Sequence, residues 1–243
     1  MTDFRLNRRA FIHGANAMLT WTALQGKGFA FPQTQTRLRV GLIGAGWYGK
    51  SDLFRLLQVS DAEVLAVCDV DNRHLQEAGK LISERQLSKQ VPQLYRDYRQ
   101  MLAEHRFDLV LIGTPDHWHA RQAVDAIRAG AHLYLQKPIS VDVLEGEAIV
   151  AAARQHNRKV QVGLQRRSTP HLIHAKEQVI DKGLLGKVSH VELCCYYHMR
   201  MNGNPPEEPV PDFLDYERWT GPAPWRPYDG LPHGSRWRAF MEY

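Results

Sequence analysis

Short apolar runs alternate with amphipathic stretches along the middle of the chain. The apolar runs are four to six residues long and lie at 38–43, 64–68, 109–112, 132–135 and 159–162. Helical periodicity is found at 72–84, 97–104, 118–129 and 143–155, and a further helix begins near Trp47. Buried strands separated by such helices are typical of a parallel sheet that is covered on both faces. We therefore predict one doubly wound α/β domain over residues 37–163.

The remainder of the chain, residues 164–243, predicts much less regular structure. It contains a helix near 170–182, a strand at 188–197 and a loop in which eight of the chain's 13 prolines lie between Pro205 and Pro232. One strand and a long loop cannot close a two-layer domain. We expect this segment to be the incomplete start of a second α/β domain, in a chain that is truncated at its carboxyl end.

The first 36 residues have the features of an export leader. Residues 7–12 read Asn-Arg-Arg-Ala-Phe-Ile, which is similar to the twin-arginine signal. A mildly apolar stretch at 15–24 follows, and residues 28–30 offer small side chains to a signal peptidase. This interpretation predicts a periplasmic protein. The alternative is an N-terminal tail that contains two arginines by chance, on a cytoplasmic protein.

Charge and cysteine content narrow the classes of function. The net charge is +5, but residues 1–36 contribute +3 of it, and no block of five Lys or Arg residues occurs. This distribution gives no support to nucleic-acid binding. No apolar run reaches the roughly 18 residues of a membrane span. Cys68, Cys194 and Cys195 have neither zinc spacing nor a disulfide framework.

The turn after the first strand carries a glycine motif. Gly44-Ala45-Gly46-Trp47-Tyr48-Gly49 fits G-x-G-x-x-G between a strand and a helix. Gly44 permits a tight turn, Gly46 lets the backbone approach a pyrophosphate, and Gly49 lets the helix pack on the strand. The N-terminus of the helix then faces the phosphates of a dinucleotide. We predict dinucleotide binding here, against the alternative of an ordinary tight turn.

Asp69 lies 20 residues after Gly49, at the end of the next strand. Its carboxylate can accept hydrogen bonds from both hydroxyls of an adenosine ribose and would repel a 2′-phosphate, so NAD is favoured over NADP. Asp71 is the nearest competitor for this role. Arg73 either lies along the adenine or, as the less favoured alternative, admits the 2′-phosphate of NADP.

Two further segments lie at the carboxyl ends of strands, where open α/β sheets bind ligands. Residues 113–119 read Gly-Thr-Pro-Asp-His-Trp-His, and residues 136–138 read Gln-Lys-Pro. We predict that the ammonium of Lys137 lies beside the nicotinamide and hydrogen-bonds a substrate hydroxyl, the alternative being an ordinary solvated lysine. His117 and His119 have a spacing seen in metal sites, but no cluster of further ligands completes one, so no metal is expected.

Together these motifs resemble the Gfo/Idh/MocA (glucose–fructose oxidoreductase/inositol dehydrogenase) family. The resemblance extends over 162–168 and 219–225 and so covers essentially residues 38–243. It implies a Rossmann domain followed by an α/β domain with an open, mainly antiparallel sheet, which often mediates homo-oligomerisation. It also implies that the nicotinamide side of the cofactor is lined by Thr114, Pro115, Asp116 and His119, with Lys137 at the reacting hydroxyl of a sugar, polyol or related small molecule.

Two departures from the family pattern matter. Position 136 is Gln where the family usually has Glu, so we expect altered tuning without loss of the cofactor. Many members carry an Asp-x-x-x-His pair as acid/base in the second domain; we expect it only beyond residue 243, and expect the isolated fragment to be inactive. His198 is either catalytic or structural. Three tryptophans either stack on a sugar ring or pack the loop on the sheet: Trp219, Trp225 and Trp237.

These features predict an NAD(P)-dependent oxidoreductase that acts on CH–OH groups. Two alternatives stay open. One is a redox-neutral enzyme of the glycosidase or epimerase type, which oxidises a sugar hydroxyl and later returns the hydride, as the resemblance also allows. The other is a non-catalytic nucleotide-binding sensor. Export would favour the redox-neutral route, because free NAD is scarce outside the inner membrane and a bound cofactor would have to be regenerated in place.

Overall fold

Six parallel strands form one sheet at the centre of the protein. The structure, a computed structural model, describes residues 37–194, 205–230, 233, 236–240 and 243. Neighbouring strands lie in the order β3-β2-β1-β4-β5-β6, so the direction of winding reverses between β1 and β4. This is the doubly wound arrangement, and the predicted fold class is confirmed. The strands are β1 (Arg39–Ile43), β2 (Glu63–Cys68), β3 (Gln93–Tyr95), β4 (Leu109–Ile112), β5 (His132–Gln136) and β6 (Val160–Gly163).

The helices that connect the strands begin where the sequence supplies caps. Asp71, Asp97 and Asp142 each accept a hydrogen bond from a backbone N–H in the first turn of the following helix. The first helix begins after Gly46, and no side chain caps it. The connecting helices are α1 (Trp47–Val59), α2 (Asn72–Arg85), α3 (Tyr98–Glu104), α4 (Asp116–Arg128) and α5 (Val143–Gln155).

Successive residues of the central strands point to opposite faces of the sheet. In β4, Val110 and Ile112 join an apolar cluster formed with α3, α4 and α5. Leu111, between them, joins a second cluster formed with α1 and α2. Both faces of the sheet are therefore covered, which is why the strands are apolar runs and do not alternate with polar residues.

The structure differs from the sequence-based prediction at two strands. β3 has no counterpart in that prediction, because it is three residues long and only Tyr95 is buried. The strand predicted at 188–197 is wrong for residues 188–194, which are irregular and exposed. No strand among the described residues pairs with them, and an unpaired strand leaves its backbone groups without partners. The helix predicted near 170–182 is present, as α6 (Pro170–Ala175) continued without a break by a π-helical turn (Lys176–Ile180).

The described residues of 205–243, hereafter the C-terminal segment, pack at the turn that follows β2. The Asn72 N–H donates to the Phe213 carbonyl (2.8 Å), and the Asp215 N–H donates to the Val70 carbonyl (3.0 Å). A short helix, α7 (Tyr216–Thr220), follows. A third apolar cluster holds the segment together and consists of Leu214, Tyr216, Trp219, Tyr228, Trp237 and Tyr243.

Parts of the sequence-based prediction are not addressed by the described residues. The leader over 1–36 and His198 lie outside them. The described residues form one sheet only, so a second domain over 164–243 stays a prediction. Among the helices that the structure describes, none has the length and apolar character needed to cross a membrane.

Candidate functional site

The carboxyl ends of the strands surround a cavity of about 330 Å³. The turn after β1, the ends of β2, β4 and β5, and the C-terminal segment form its walls. Ala45, Gly49, Arg73 and His119 are sequence-predicted site residues that do not line it. The sequence-predicted residues that do line it are Gly44, Gly46, Trp47, Tyr48, Asp69, Thr114, Pro115, Asp116, Gln136 and Lys137.

The three glycines of the turn after β1 differ in the space that a side chain would have. Gly44 has a φ of +88°, and a Cβ there would lie 2.7 Å from the carbonyl carbon of Gly113. A Cβ on Gly49 would lie 1.9 Å from the Gly44 carbonyl oxygen. A Cβ on Gly46, by contrast, would meet no atom within 4 Å. Gly44 and Gly49 are therefore needed for the fold, whereas Gly46 keeps open the space in front of the N-terminus of α1.

Asp69, at the end of β2, holds the glycine turn in place. Its Oδ2 accepts a hydrogen bond from the Ala45 N–H (2.7 Å), and its Oδ1 accepts one from the Asp71 N–H (2.8 Å). Burial raises the pKa of Asp69, and these backbone hydrogen bonds oppose the change. Each carboxylate oxygen can accept a second hydrogen bond. Asp69 can therefore both fix the turn and receive the hydroxyls of a ribose.

Asp71 and Arg73 are engaged with the protein itself. The buried carboxylate of Asp71 caps α2, pairs with the Arg73 guanidinium (2.9 Å) and lies 3.2 Å from His233 Nε2. Burial alone would raise the pKa of Asp71, but the hydrogen bonds from Arg73 and the nearby His74 outweigh it and lower the pKa. The guanidinium also lies 3.4 Å from the centre of the Phe213 ring. The Arg73 guanidinium is thus engaged by Asp71 and Phe213. Of the two carboxylates after β2, Asp69 lines the cavity and Asp71 does not.

Asp116, the first residue of α4, presents a carboxylate oxygen without a hydrogen bond. Its Oδ1 is buried and has no hydrogen-bond partner among the described residues. The nearest cation is the Arg238 guanidinium, whose Nη2 is 4.0 Å away. Burial raises the pKa of Asp116 to about 6, although Arg238 and Lys137 act in the opposite direction. Asp116 is therefore a carboxyl group that changes charge close to neutral pH.

The two histidines of the 113–119 segment face away from each other and away from the cavity. His119 is buried, with Nδ1 2.5 Å from the Pro138 carbonyl and Nε2 2.9 Å from the Thr114 carbonyl. Burial lowers its pKa, opposed by these two contacts. His119 thus links the loops after β4 and β5 from behind. His119 does not line the cavity, and both of its ring nitrogens contact backbone carbonyls; its place on the nicotinamide side, which the family resemblance implies, stays a prediction.

The side chains of His117 and Trp118 contact the C-terminal segment. His117 Nε2 is 3.0 Å and Trp118 Nε1 is 2.9 Å from the same carbonyl oxygen, that of Trp219. Burial lowers the pKa of His117 to about 4, so it is neutral at physiological pH. The Trp118 ring also lies against Gly221, where a Cβ would be 2.0 Å away. The histidines of the H-x-H pattern therefore have structural partners.

Gln136 is the last residue of β5, Lys137 follows it, and both line the cavity. The Lys137–Pro138 peptide bond is cis, and the Lys137 ammonium lies 5.8 Å from the centre of the Tyr48 ring. The Gln136 amide donates to Asp52 Oδ2 (2.7 Å) and accepts from the Lys137 N–H (2.9 Å). Burial raises the pKa of Asp52, and the hydrogen bond from Gln136 opposes this. A carboxylate is therefore present next to position 136, contributed by α1.

The C-terminal segment supplies one wall of the cavity that the sequence analysis did not assign. Trp219 and Trp237 are buried in the third apolar cluster and line the cavity, whereas Trp225 is 64% exposed. The proline-rich loop therefore packs against the sheet through Trp219 and Trp237. The wall consists of Arg218, Trp219, His233, Trp237 and Arg238.

An Asp-x-x-x-His spacing does occur within the chain, at Asp229 and His233. The expectation that such a spacing lies only beyond residue 243 is therefore wrong as a statement about the sequence. In the structure Asp229 pairs with Arg226, and His233 contacts Asp71 at the β2 side of the cavity. His233 therefore has Asp71 as a structural partner.

The donors and acceptors of the cavity fit a dinucleotide. Gly46 leaves room for a pyrophosphate at the N-terminus of α1, and no side chain competes for its N–H groups. Asp69 offers oxygens to the adenosine ribose. Residues 114–116 and Lys137 line the other end of the cavity.

Comparison with known proteins agrees with this geometry. Residues 38–164 match the family described as "Oxidoreductase family, NAD-binding Rossmann fold", the Gfo/Idh/MocA family. The match covers more than half of the chain, and the protein belongs to this family. The resemblance drawn from the motifs is thereby confirmed, and NAD is the cofactor of this domain.

The relatives carry several different names. The chain is 28% identical over 181 residues to an uncharacterized oxidoreductase, YrbE, of Bacillus subtilis, covering 74% of this chain and 48% of that protein. It is 26% identical over 172 residues to an alpha-N-acetylgalactosaminidase of Shewanella oneidensis, covering 67% of this chain and 36% of that protein. Thus the chain spans about half or less of the length of these relatives.

A solved structure of similar fold contains both a dinucleotide cofactor and a polyol. Scyllo-inositol dehydrogenase from Lactobacillus casei, with bound NAD(H) and scyllo-inositol, matches with a TM-score of 0.52 and 28% sequence identity. The match covers 62% of this chain and 42% of that one.

Proposed function

We propose that this chain carries the NAD-binding part of an oxidoreductase that transfers hydride between nicotinamide and a hydroxyl group of a sugar, polyol or related small molecule. The observation that carries the proposal is the convergence of Lys137, Asp116 and the Gly46 turn on one cavity. Bound NAD supplies the hydride acceptor or donor. The residues of the chain bind the cofactor and hold the proton of the reacting hydroxyl.

Each residue has a role that follows from its contacts. Gly46 and the N-terminus of α1 bind the pyrophosphate, and Asp69 binds the adenosine ribose. The Lys137 ammonium, whose backbone N–H is bound to the Gln136 side chain, would hydrogen-bond the oxygen of the substrate hydroxyl and stabilise the negative charge that forms there when the proton passes to a general base, such as the acid/base pair that the family resemblance implies. The Trp219 and Trp237 side chains keep water from this wall of the cavity.

A redox-neutral reaction is the second candidate. It is supported by the similarity to an alpha-N-acetylgalactosaminidase, since removal of a sugar leaves no net oxidation. In such a reaction the same cavity and the same lysine would serve, and the hydride would return within one catalytic cycle. Net NADH accumulation with a sugar or polyol supports the dehydrogenase, and turnover of a glycoside without net NADH supports the redox-neutral enzyme.

The Lys137→Ala variant tests the enzymatic role. We expect it to lose turnover in either reaction while it keeps NADH binding within about twofold, because Lys137 is placed at the reacting hydroxyl. Lys80→Ala, an exposed lysine of α2, is the matched control and should behave as the unaltered protein. Unchanged turnover in Lys137→Ala would remove this residue from the mechanism. Turnover is measured in the full-length gene product, since the isolated fragment is expected to be inactive. If that protein binds NAD but turns over no sugar, polyol or glycoside, a sensor role is favoured, whereas failure to bind NAD would contradict the cofactor site itself.

Export is a separate proposal that rests on the sequence of residues 1–36. The twin-arginine route carries folded proteins, so the cofactor would be bound before transport. Replacement of Arg8 and Arg9 by Lys should retain the protein in the cytoplasmic fraction if the leader acts in this way. Equal distribution of the unaltered and altered proteins between cell fractions would contradict it.

A further inference from the structure

A chain of side-chain hydrogen bonds runs from α1, through the ends of β5 and β6, to the cavity. Asp52 Oδ2 lies 2.7 Å from Gln136 Nε2. Gln165 Nε2, after β6, lies 3.1 Å from Gln136 Oε1 and 2.6 Å from the Tyr48 hydroxyl. Tyr48 and Gln136 line the cavity. The chain of contacts therefore begins at a carboxylate behind the cavity wall and ends at a hydroxyl on it.

One backbone group sets the direction of these hydrogen bonds. The Lys137 N–H can only donate, and it lies 2.9 Å from the Gln136 side chain, so the atom it meets is the amide oxygen. The amide nitrogen of Gln136 must then face Asp52, whose carboxylate accepts. The amide oxygen of Gln136 also requires the NH₂ group of Gln165 to face it. The orientation of both amides follows from the chemistry of their partners.

The polarity of the Tyr48 hydroxyl follows in turn. An amide NH₂ group has two protons to donate and does not accept, so the Tyr48 oxygen is the acceptor in its contact with Gln165. The proton of the hydroxyl remains for another acceptor. Among the described residues the Tyr48 hydroxyl makes no second hydrogen bond. Tyr48 is also the second residue of α1, directly after the Gly46 turn that faces the cavity.

We propose that Asp52, Gln136 and Gln165 orient Tyr48 as a hydrogen-bond donor to an oxygen atom of the bound dinucleotide. The inference rests on the proposed cofactor site and deepens it. Asp52 and Gln165 are positioning residues, since they reach the ligand only through Gln136 and Tyr48. The Lys137 ammonium, 5.8 Å from the Tyr48 ring centre, belongs to the same wall. Two donors of different chemistry thus face the ligand side by side.

Introducing a charge at position 136 tests whether Gln136 orients Tyr48 toward the ligand or only stabilises the fold. In Gln136→Glu the new carboxylate can still accept from the Lys137 N–H, but it has no proton to donate to Asp52. Two carboxylates would then face each other, and their repulsion would displace the side chain at position 136 from the place where it accepts from Gln165. The chain of hydrogen bonds from Asp52 through Gln136 and Gln165 to Tyr48, hereafter the relay, would be broken there. Replacing Asp52 by Asn in the same protein returns a donor to that contact. Asp52→Asn/Gln136→Glu therefore exchanges the two groups and restores the position of the acceptor that holds the Gln165 amide.

The test is NADH titration followed by the nicotinamide fluorescence, with thermal unfolding measured on the same samples. We expect Tyr48→Phe to weaken NADH binding by about five- to tenfold, the value of one hydrogen bond. Gln136→Glu should weaken it by a similar factor, and the double exchange should return it to within about twofold of the unaltered protein. Gln58→Glu, exposed on the same helix as Asp52, is the matched charge control and should change nothing.

The outcomes distinguish failure of the relay, in which Asp52, Gln136 and Gln165 orient Tyr48, from failure of the proposed cofactor site. If the unaltered protein binds no NADH, the cofactor site and the relay both fail. If the unaltered protein binds NADH and Tyr48→Phe binds it equally well, the relay alone is overturned. In the Tyr48→Phe background Gln136→Glu should cause no further loss; an additional loss of the same size would show that position 136 acts independently of Tyr48. Absence of rescue by the double exchange would equally overturn the relay.

Discussion

Asp116 provides a sharp test of the electrostatics of the cavity. It is a carboxyl group whose buried Oδ1 has no hydrogen-bond partner among the described residues and whose pKa is raised by burial to about 6 from an ordinary 3.8. Asn has nearly the same shape and carries no charge at any pH. Asp116→Asn therefore removes the titration and leaves the packing of the first turn of α4 in place.

The size of the effect follows from linkage between protonation and folding. A carboxyl group with a raised pKa binds its proton more tightly in the folded protein, so it stabilises the fold at low pH and loses that contribution as the pH rises from about 4 to about 6. The difference between 3.8 and about 6 corresponds to about 3 kcal/mol as an upper limit, at about 1.4 kcal/mol per pH unit. Asp116 lines a cavity that solvent can enter, and screening by that solvent reduces the value below this limit.

The assay is urea unfolding of both proteins at pH 4 and at pH 8. We expect the free energy of unfolding of Asp116→Asn, minus that of the unaltered protein, to be up to about 3 kcal/mol larger at pH 8 than at pH 4, so that the variant is relatively more stable at pH 8. Any constant effect of the amide on packing cancels in this comparison. A difference that does not vary with pH would show that the Asp116 carboxyl is not destabilised by burial, and a difference of opposite sign would show that its charged form is stabilised by Arg238 and Lys137.

Two further predictions concern the walls of the cavity. Gly46→Ala should keep the melting temperature and weaken NADH binding, whereas Gly49→Ala should lower the melting temperature, because only at Gly49 would the new Cβ collide with the backbone; equal effects of the two changes in both assays would contradict this. Trp118→Phe should lower the melting temperature by about 2–4 °C, because it removes about 1 kcal/mol of hydrogen bonding to the Trp219 carbonyl. An unchanged melting temperature would mean that His117 alone holds that carbonyl.

The sheet and the glycine turn could be predicted because their causes are local. Apolar runs such as 109–112 indicate buried strands, and Gly44 and Gly49 are required by contacts within a few residues of the motif or on the adjacent strand. β3 is too short to show a period, and residues 188–194 show an apolar pattern without a neighbouring strand to pair with. The hydrophobic pattern of a segment does not show whether a neighbouring strand is available for it to pair with.

The parts of the site that could not be predicted depend on contacts between residues that are far apart in the sequence. Asp52 has no local signal, since a polar residue in α1 is ordinary until Gln136 is placed beside it, 84 positions later. The H-x-H pattern at 117–119 suggests a ligand pair, but its two rings meet carbonyls from Trp219, Thr114 and Pro138. The chemistry of a side chain can be read from the sequence, whereas the choice among its possible partners is made by the fold.

The attachment of the C-terminal segment through the Trp219 carbonyl has a consequence for the protein during its synthesis. The sheet is complete in sequence at Gly163, whereas the contacts of the segment with the turn after β2 begin at Phe213, about 50 residues later. At about 5–20 residues per second, the ribosome needs roughly 3–10 s to make the intervening chain. During that interval the nascent Rossmann sheet has its glycine turn and Asp69 but lacks the wall formed by Trp219 and Trp237. A cofactor that binds at this stage enters a cleft that lacks this wall, and docking of the C-terminal segment adds the wall afterwards.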